Sequence, residues 1–123
     1  MNDHSCLLCM GSNTDRFTHL SVAREALRAA FPDIRFGEVM ETEAVGVGFH
    51  SPFSNQLARF STPLSSDSVH DLFKELERRC GRTPEDKARG VVKLDIDLLA
   101  FDRQVLKPDD MDREYIRRGL AAF

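Results

Sequence analysis

The stretch Val91–Phe101 constrains the fold more than any other part of the chain. Its centre, Lys93-Leu94-Asp95-Ile96-Asp97-Leu98-Leu99, alternates apolar and charged residues with the period of two that belongs to a β-strand. Alternation puts Leu94, Ile96 and Leu98 on one face, and Lys93, Asp95 and Asp97 on the other, with Leu99 and Phe101 continuing the second face. A strand with one wholly apolar face needs sheet neighbours and a covering layer, so the remaining segments are read for those partners.

Ser5–Met10 is a short apolar run ending at the turn signal Gly11-Ser12-Asn13, which predicts a first strand. Between about Asp15 and Phe31 the apolar positions Leu20, Ala23, Leu27, Ala30 and Phe31 recur at helical spacing, and Pro32-Asp33 stops the helix. Ile34–Thr42 alternates loosely as a second strand. Gly46-Val47-Gly48-Phe49-His50-Ser51-Pro52 is a breaker-rich loop, and Phe53–Ser61 is a third strand closed by Thr62-Pro63. The cluster Ser65-Ser66-Asp67-Ser68 caps a second helix with Val69, Leu72, Phe73, Leu76 and Cys80 on one face, ended by Gly81. Arg82–Arg89 has no strongly apolar residue and reads as an exposed loop. Asp102–Asp109 turns outward after the last strand, and Asp110–Phe123 is a last helix. The order β-α-β-β-α-β plus a terminal helix is the split βαβ, ferredoxin-like arrangement of the α+β class, as one domain over residues 1–123.

Length agrees with that reading. The chain has 123 residues, enough for one core burying roughly two-thirds of the unfolded surface. Its net charge is −3 and its pI about 5.8, with both signs interspersed, whereas nucleic-acid binders carry a basic face. Nucleic acid is therefore not an expected partner. The apolar runs are too short for a membrane span, which needs about 20 residues, or for a signal-peptide core. A cytoplasmic protein without membrane attachment is the expectation, and the oligomeric state is open. Cys6, Cys9 and Cys80 are an odd set of thiols. Positions three apart on a strand face opposite sides, so Cys6 and Cys9 are expected to be separate buried thiols. The histidines show no ligand spacing.

The chemistry lies in the aspartate pair. Two carboxylates at next-but-one positions on a strand repel each other unless a cation sits between them. Hard oxygen ligands suit Mg²⁺, which takes one or two carboxylates together with substrate phosphates. A solvated outer face is the alternative, but Leu99 and Phe101 place an apolar floor beside the pair. Gly11-Ser12-Asn13, Glu77-x-x-x-Gly81-Arg82 and Phe53-x-Asn55 are, taken singly, a turn, a helix end and a surface strand.

In this order and spacing, from Leu8-Cys9-Met10-Gly11-Ser12-Asn13 to Arg118, the features resemble the 6-hydroxymethyl-7,8-dihydropterin pyrophosphokinases. The family's fold is also ferredoxin-like. The resemblance implies transfer of pyrophosphate from ATP, the co-substrate, to the hydroxymethyl group of a pterin. Asp95 and Asp97 match carboxylates that hold two Mg²⁺ ions, with Arg82 beside them as a catalytic arginine. Thr42, Val45 and Gly46 fall in the wall of the pterin pocket, Phe53 at an aromatic position and Asn55 at an amide that reads the pterin edge. Lys74, Lys93, Leu98 and Arg118 fall on the nucleotide side, Lys93 by strand parity with the aspartates. Departures cluster on that side too. Pro84 replaces a second loop arginine, Gly90-Val91-Val92 stands for Gly-Pro-Arg, Arg89 for a tryptophan and Lys74 for a glutamine. Arg118-Gly119-Leu120 is matched to the family's Arg-x-Phe, so one aromatic wall of the pterin pocket is missing. Two other readings stand beside this one: a catalytically lapsed pterin-binding relative, and a ferredoxin-like interaction domain.

Overall fold

The computed structural model describes residues 3–43 and 52–123. Its centre is β1 (His4–Ser12), which pairs antiparallel with β4 (Phe53–Thr62) on one side and β5 (Asp95–Phe101) on the other. A strand with two neighbours and both faces covered must be apolar throughout, which is why Cys6–Met10 reads as a continuous run. Beyond β4 lie β2 (Arg35–Phe36) and β3 (Met40–Thr42), and beyond β5 lies β6 (Gln104–Val105). The sheet order β2-β4-β1-β5-β6 contains the ferredoxin-like arrangement, with the α+β class as expected.

On one face, α1 (Arg16–Ala30) and α2 (Ser66–Arg79) close a core around Leu8, Met10, Leu27, Phe73 and Ile96. Phe60 stacks between Phe31 and Phe73 at ring separations of 4.2 and 6.3 Å. On the other face, α4 (Pro108–Met111) and α5 (Glu114–Ala121) cover a smaller core of Leu7, Cys9, Leu57, Leu99 and Ile116. Cys6 belongs to the first core and Cys9 to the second, so the two thiols lie on opposite sides as the strand geometry requires. Burial pushes the Cys6 thiol up to about 11 and the Cys9 thiol up to about 12. Among the described residues, no helix is long and apolar enough to cross a membrane.

Several expected boundaries shift. The second strand splits in two because four steps from Phe36 to Met40 face three from Ala58 to Asn55, and the extra residue bulges. Gly37 fastens the bulge, donating to the Leu57 carbonyl at 2.9 Å while its own carbonyl accepts from Gln56 at 2.7 Å. The supposed loop Arg82–Arg89 holds a short helix, α3 (Pro84–Ala88). Thr83-Pro84-Glu85-Asp86 is half of a capping box with proline at the first helical position, and Asp86 accepts from the Thr83 backbone N–H at 3.1 Å. The strand expected from Val91 begins at Asp95, and the terminal helix breaks at Arg113, whose backbone is extended. Leu8 faces Leu98 but Leu7 faces Ala100, so Leu99 is an extra residue. That irregularity turns Phe101 into the first core, away from the aspartates whose face it was expected to share.

Candidate active site

The cleft lies on the α5 side of the sheet, where β1, β3, β4 and β5 end together. Its volume is about 410 Å³, and Thr42, Phe53, Asn55, Asp95 and Asp97 all line it. The sheet register explains the convergence. Gly11 sits between Asn55 on β4 and Asp95 on β5, and Cys9 sits opposite Asp97, so one strand places the amide and the carboxylates in a row. Gly11 has to lack a side chain, because a Cβ there would lie 2.7 Å from Asn55 Oδ1. Asn55 Nδ2 donates to Thr42 Oγ1 at 2.8 Å, which fixes the amide's orientation. Val45 and Gly46 lie outside the described residues.

Asp95 and Asp97 share a face, as alternation requires. Burial first, and then the neighbouring Asp95 carboxylate, push the Asp97 carboxyl up to about 7. A cation between the two would relieve both causes. The donors are all hard oxygens, and among the described residues no three metal-binding side chains converge. A cation held here would complete its shell with water and phosphate, as Mg²⁺ does. The two residues therefore fit that ion.

Arg82 reaches this pair from the end of α2. Gly81 has φ +85°, with its N–H on the Arg78 carbonyl and the Arg82 N–H on the Glu77 carbonyl, which is a Schellman turn. The turn sends Arg82 back along the helix, and its guanidinium lies 3.0 Å from both Glu77 and Asp95. Glu77 is 3% exposed. Its Oε2 accepts from the Ile96 backbone N–H at 2.8 Å, and Lys74 Nζ lies 3.2 Å from its Oε1. Sequence reading reached Glu77 only as part of a helix end.

The nucleotide-side expectations are redistributed. Lys74 pairs with Glu77 and does not line the cleft. Lys93 Nζ donates to the Gly81 carbonyl at 2.9 Å and lies 3.3 Å from Asp86. The Leu98 side chain is buried in the first core, on the opposite face from the aspartates. Arg118 points into a separate groove beside Phe36 and Phe123 and pairs with Glu114 at 3.8 Å. Arg113 and Tyr115 line the cleft instead. The triplet Arg113-Glu114-Tyr115 has the arginine-x-aromatic spacing first assigned to Arg118-Gly119-Leu120, and it supplies an aromatic ring where one was thought missing. Burial, together with the negative charge around it, pushes the Tyr115 hydroxyl up to about 12.

Fold and cleft together define a ferredoxin-like α+β domain that presents a paired-carboxylate strand to an aromatic and amide-lined pocket. Residues 7–123 match the family described as 7,8-dihydro-6-hydroxymethylpterin-pyrophosphokinase (HPPK), and the chain belongs to that family. It is also similar to a 2-amino-4-hydroxy-6-hydroxymethyldihydropteridine pyrophosphokinase of Bacillus subtilis (strain 168), at 29% identity over 107 residues. The match covers 85% of this chain and 64% of that relative's length.

Proposed function

We propose that this protein transfers pyrophosphate from ATP to the hydroxymethyl group of 6-hydroxymethyl-7,8-dihydropterin, in the folate pathway of the cytoplasm. The supporting observation is the convergence of Thr42, Phe53, Asn55, Asp95 and Asp97, drawn from three separate strands, on one cleft. Phe53 and Tyr115 wall a flat heterocycle, and Asn55, oriented by Thr42, reads its polar edge. In the reaction the pterin hydroxyl oxygen bonds to the β-phosphorus of ATP while the bond from that phosphorus to the α,β-bridging oxygen breaks. AMP leaves with the bond's electron pair, and the hydroxyl proton passes to solvent. Asp95 and Asp97 would hold Mg²⁺, two ions by the family resemblance, which neutralise the triphosphate and favour charge build-up on the transferring group. Arg82, steadied by Glu77, places a guanidinium at the same carboxylate and stabilises that charge.

The test is AMP release from ATP and the pterin, with and without Mg²⁺. AMP that depends on both supports the reading. A folded protein that releases none in the presence of pterin, ATP and Mg²⁺ overturns it, and pterin binding retained in that sample would identify a lapsed relative. A second expectation concerns the wall. Tyr115→Ala weakens pterin binding about tenfold while Tyr115→Phe leaves it nearly unchanged, because the contribution is the ring face. Fluorescence titration with the pterin reads this, and equal loss in both variants would show that the hydroxyl matters more than the ring.

A further inference from the structure

Asp86 is a carboxylate that the reaction above does not use, yet it is 1% exposed while Thr83, Pro84, Glu85, Ala88 and Arg89 around it are exposed. It accepts from the Thr83 backbone N–H at 3.1 Å, lies 3.0 Å from Arg89 and 3.3 Å from Lys93, and its carbonyl accepts from the Val91 N–H at 2.9 Å. Lys93 in turn donates to the Gly81 carbonyl at 2.9 Å. Both ends of the Gly81–Lys93 segment are thus tied to one buried side chain.

The segment also joins the cleft at fixed points. Arg82 reaches Asp95 at 3.0 Å. Asn13, two residues beyond Gly11, donates through Nδ2 to the Gly90 carbonyl at 2.8 Å and accepts at Oδ1 from the Val92 N–H at 2.6 Å. Lys93 therefore sits one residue from Arg82 through Gly81, and two residues before the first aspartate of the pair.

Charge gives this arrangement a use. The cleft carries Glu43, Asp95, Asp97, Asp110 and Glu114 against Arg113, which repels a polyphosphate. Arg82 is already matched by Glu77 and Asp95. Lys93 and Arg89 share one carboxylate, so their cluster keeps a net positive charge. An ammonium has three donors, and Lys93 is drawn on by two acceptors.

We propose that Asp86 is a positioning residue that holds Lys93 and Arg89 as a fixed pair of cations for the phosphates of the nucleoside triphosphate. This rests on the pyrophosphokinase reading. The two cations repel each other and sit on long flexible stems, so the shared carboxylate is what keeps them in one place.

The test measures binding of Mg²⁺ with α,β-methylene-ATP by calorimetry, and pterin binding by fluorescence, in the same preparations. Asp86→Asn and Lys93→Ala are each expected to weaken nucleotide binding about tenfold with pterin affinity unchanged. The double variant should be no weaker than either single one, since the residues act as a unit. Lys93→Arg should retain affinity. Nucleotide affinity within about twofold of wild type in Asp86→Asn overturns the proposal, as does an equal loss for both ligands, which marks a role in folding alone. If Asp86→Asn fails to fold, Lys93→Ala decides, because its side chain is half-exposed and undiminished binding there excludes the cation pair. Wild-type protein that binds no nucleotide overturns the pyrophosphokinase reading itself. Wild-type binding that both variants retain overturns only the role of Asp86.

Discussion

Asp97→Asn is expected to slow pyrophosphate transfer about a thousandfold or more, and at the same time to raise the melting temperature of the metal-free protein. The first effect follows from halving the hard-oxygen ligand set, since an asparagine presents one neutral oxygen where a carboxylate presented charge. The second follows from the carboxyl's environment. Its folded-state value of about 7 lies above the ordinary 3.8. Whatever stability Asp97 contributes is therefore fully present below about 3.8 and is lost as pH rises from there through about 7. Asparagine does not titrate, so the variant gains on wild type across that window and keeps the gain above it. After allowance for partial solvent screening the gain is on the order of 1–2 kcal/mol, or a few degrees. Thermal melts in chelator at pH 5 and pH 8 read this directly. A variant that melts below wild type at pH 8 would show that the two carboxylates do not burden the metal-free fold. Adding Mg²⁺ should narrow the difference, because the cation relieves in wild type what the substitution removes.

The second large effect belongs to a residue outside the cleft. Glu77→Ala should destabilise the protein by about 1–3 kcal/mol, because it removes a buried carboxylate that pairs with the half-exposed Arg82 and leaves the Ile96 N–H without an acceptor. Glu77→Gln restores an acceptor for that N–H but not the charge. It should regain about half of the lost stability while Arg82, freed from one anchor, still supports transfer poorly. Urea unfolding and turnover measured on the two variants separate the roles. Equal stability of the alanine and glutamine forms would show that the Ile96 hydrogen bond contributes nothing.

The aspartate pair was legible because it obeys a short period: Asp95 and Asp97 share a face by strand parity alone. Phe53 and Asn55 came only through the family resemblance, since taken singly Gly11-Ser12-Asn13 reads as a turn and Phe53-x-Asn55 as a surface strand. What escaped depended on the register between distant strands or on packing. The extra residue at Leu99, which turns Phe101 to the other core, is set by pairing with β1 and leaves no mark within β5. The alternation that exposes the aspartates buries the Leu98 side chain, which the resemblance puts on the nucleotide side. The C-terminal segment was read as one helix, so its face could not be phased. The break at Arg113 brings Tyr115 into the cleft and leaves Arg118 outside. The capping pattern Thr83-Pro84-Glu85-Asp86 was present in the sequence. The segment nevertheless lacks the apolar residues that usually advertise a helix, its buried group being a carboxylate.

The position of β1 between β4 and β5 also governs how the molecule comes into being. Of the described strands, β1 precedes both of its neighbours in the sequence, and α1, β4 and α2 all lie between it and the second of them, β5. Long loops must close before either ladder can form, which makes folding slow for the chain's size and exposes an apolar ribbon while it waits. The cleft-lining groups are distributed over the same ladders, Asn55 on one and the aspartates on the other. A nascent form that ends before β5 carries the Thr42, Phe53 and Asn55 side of the cleft without its carboxylates, so the cleft is complete only once β5 has paired with β1.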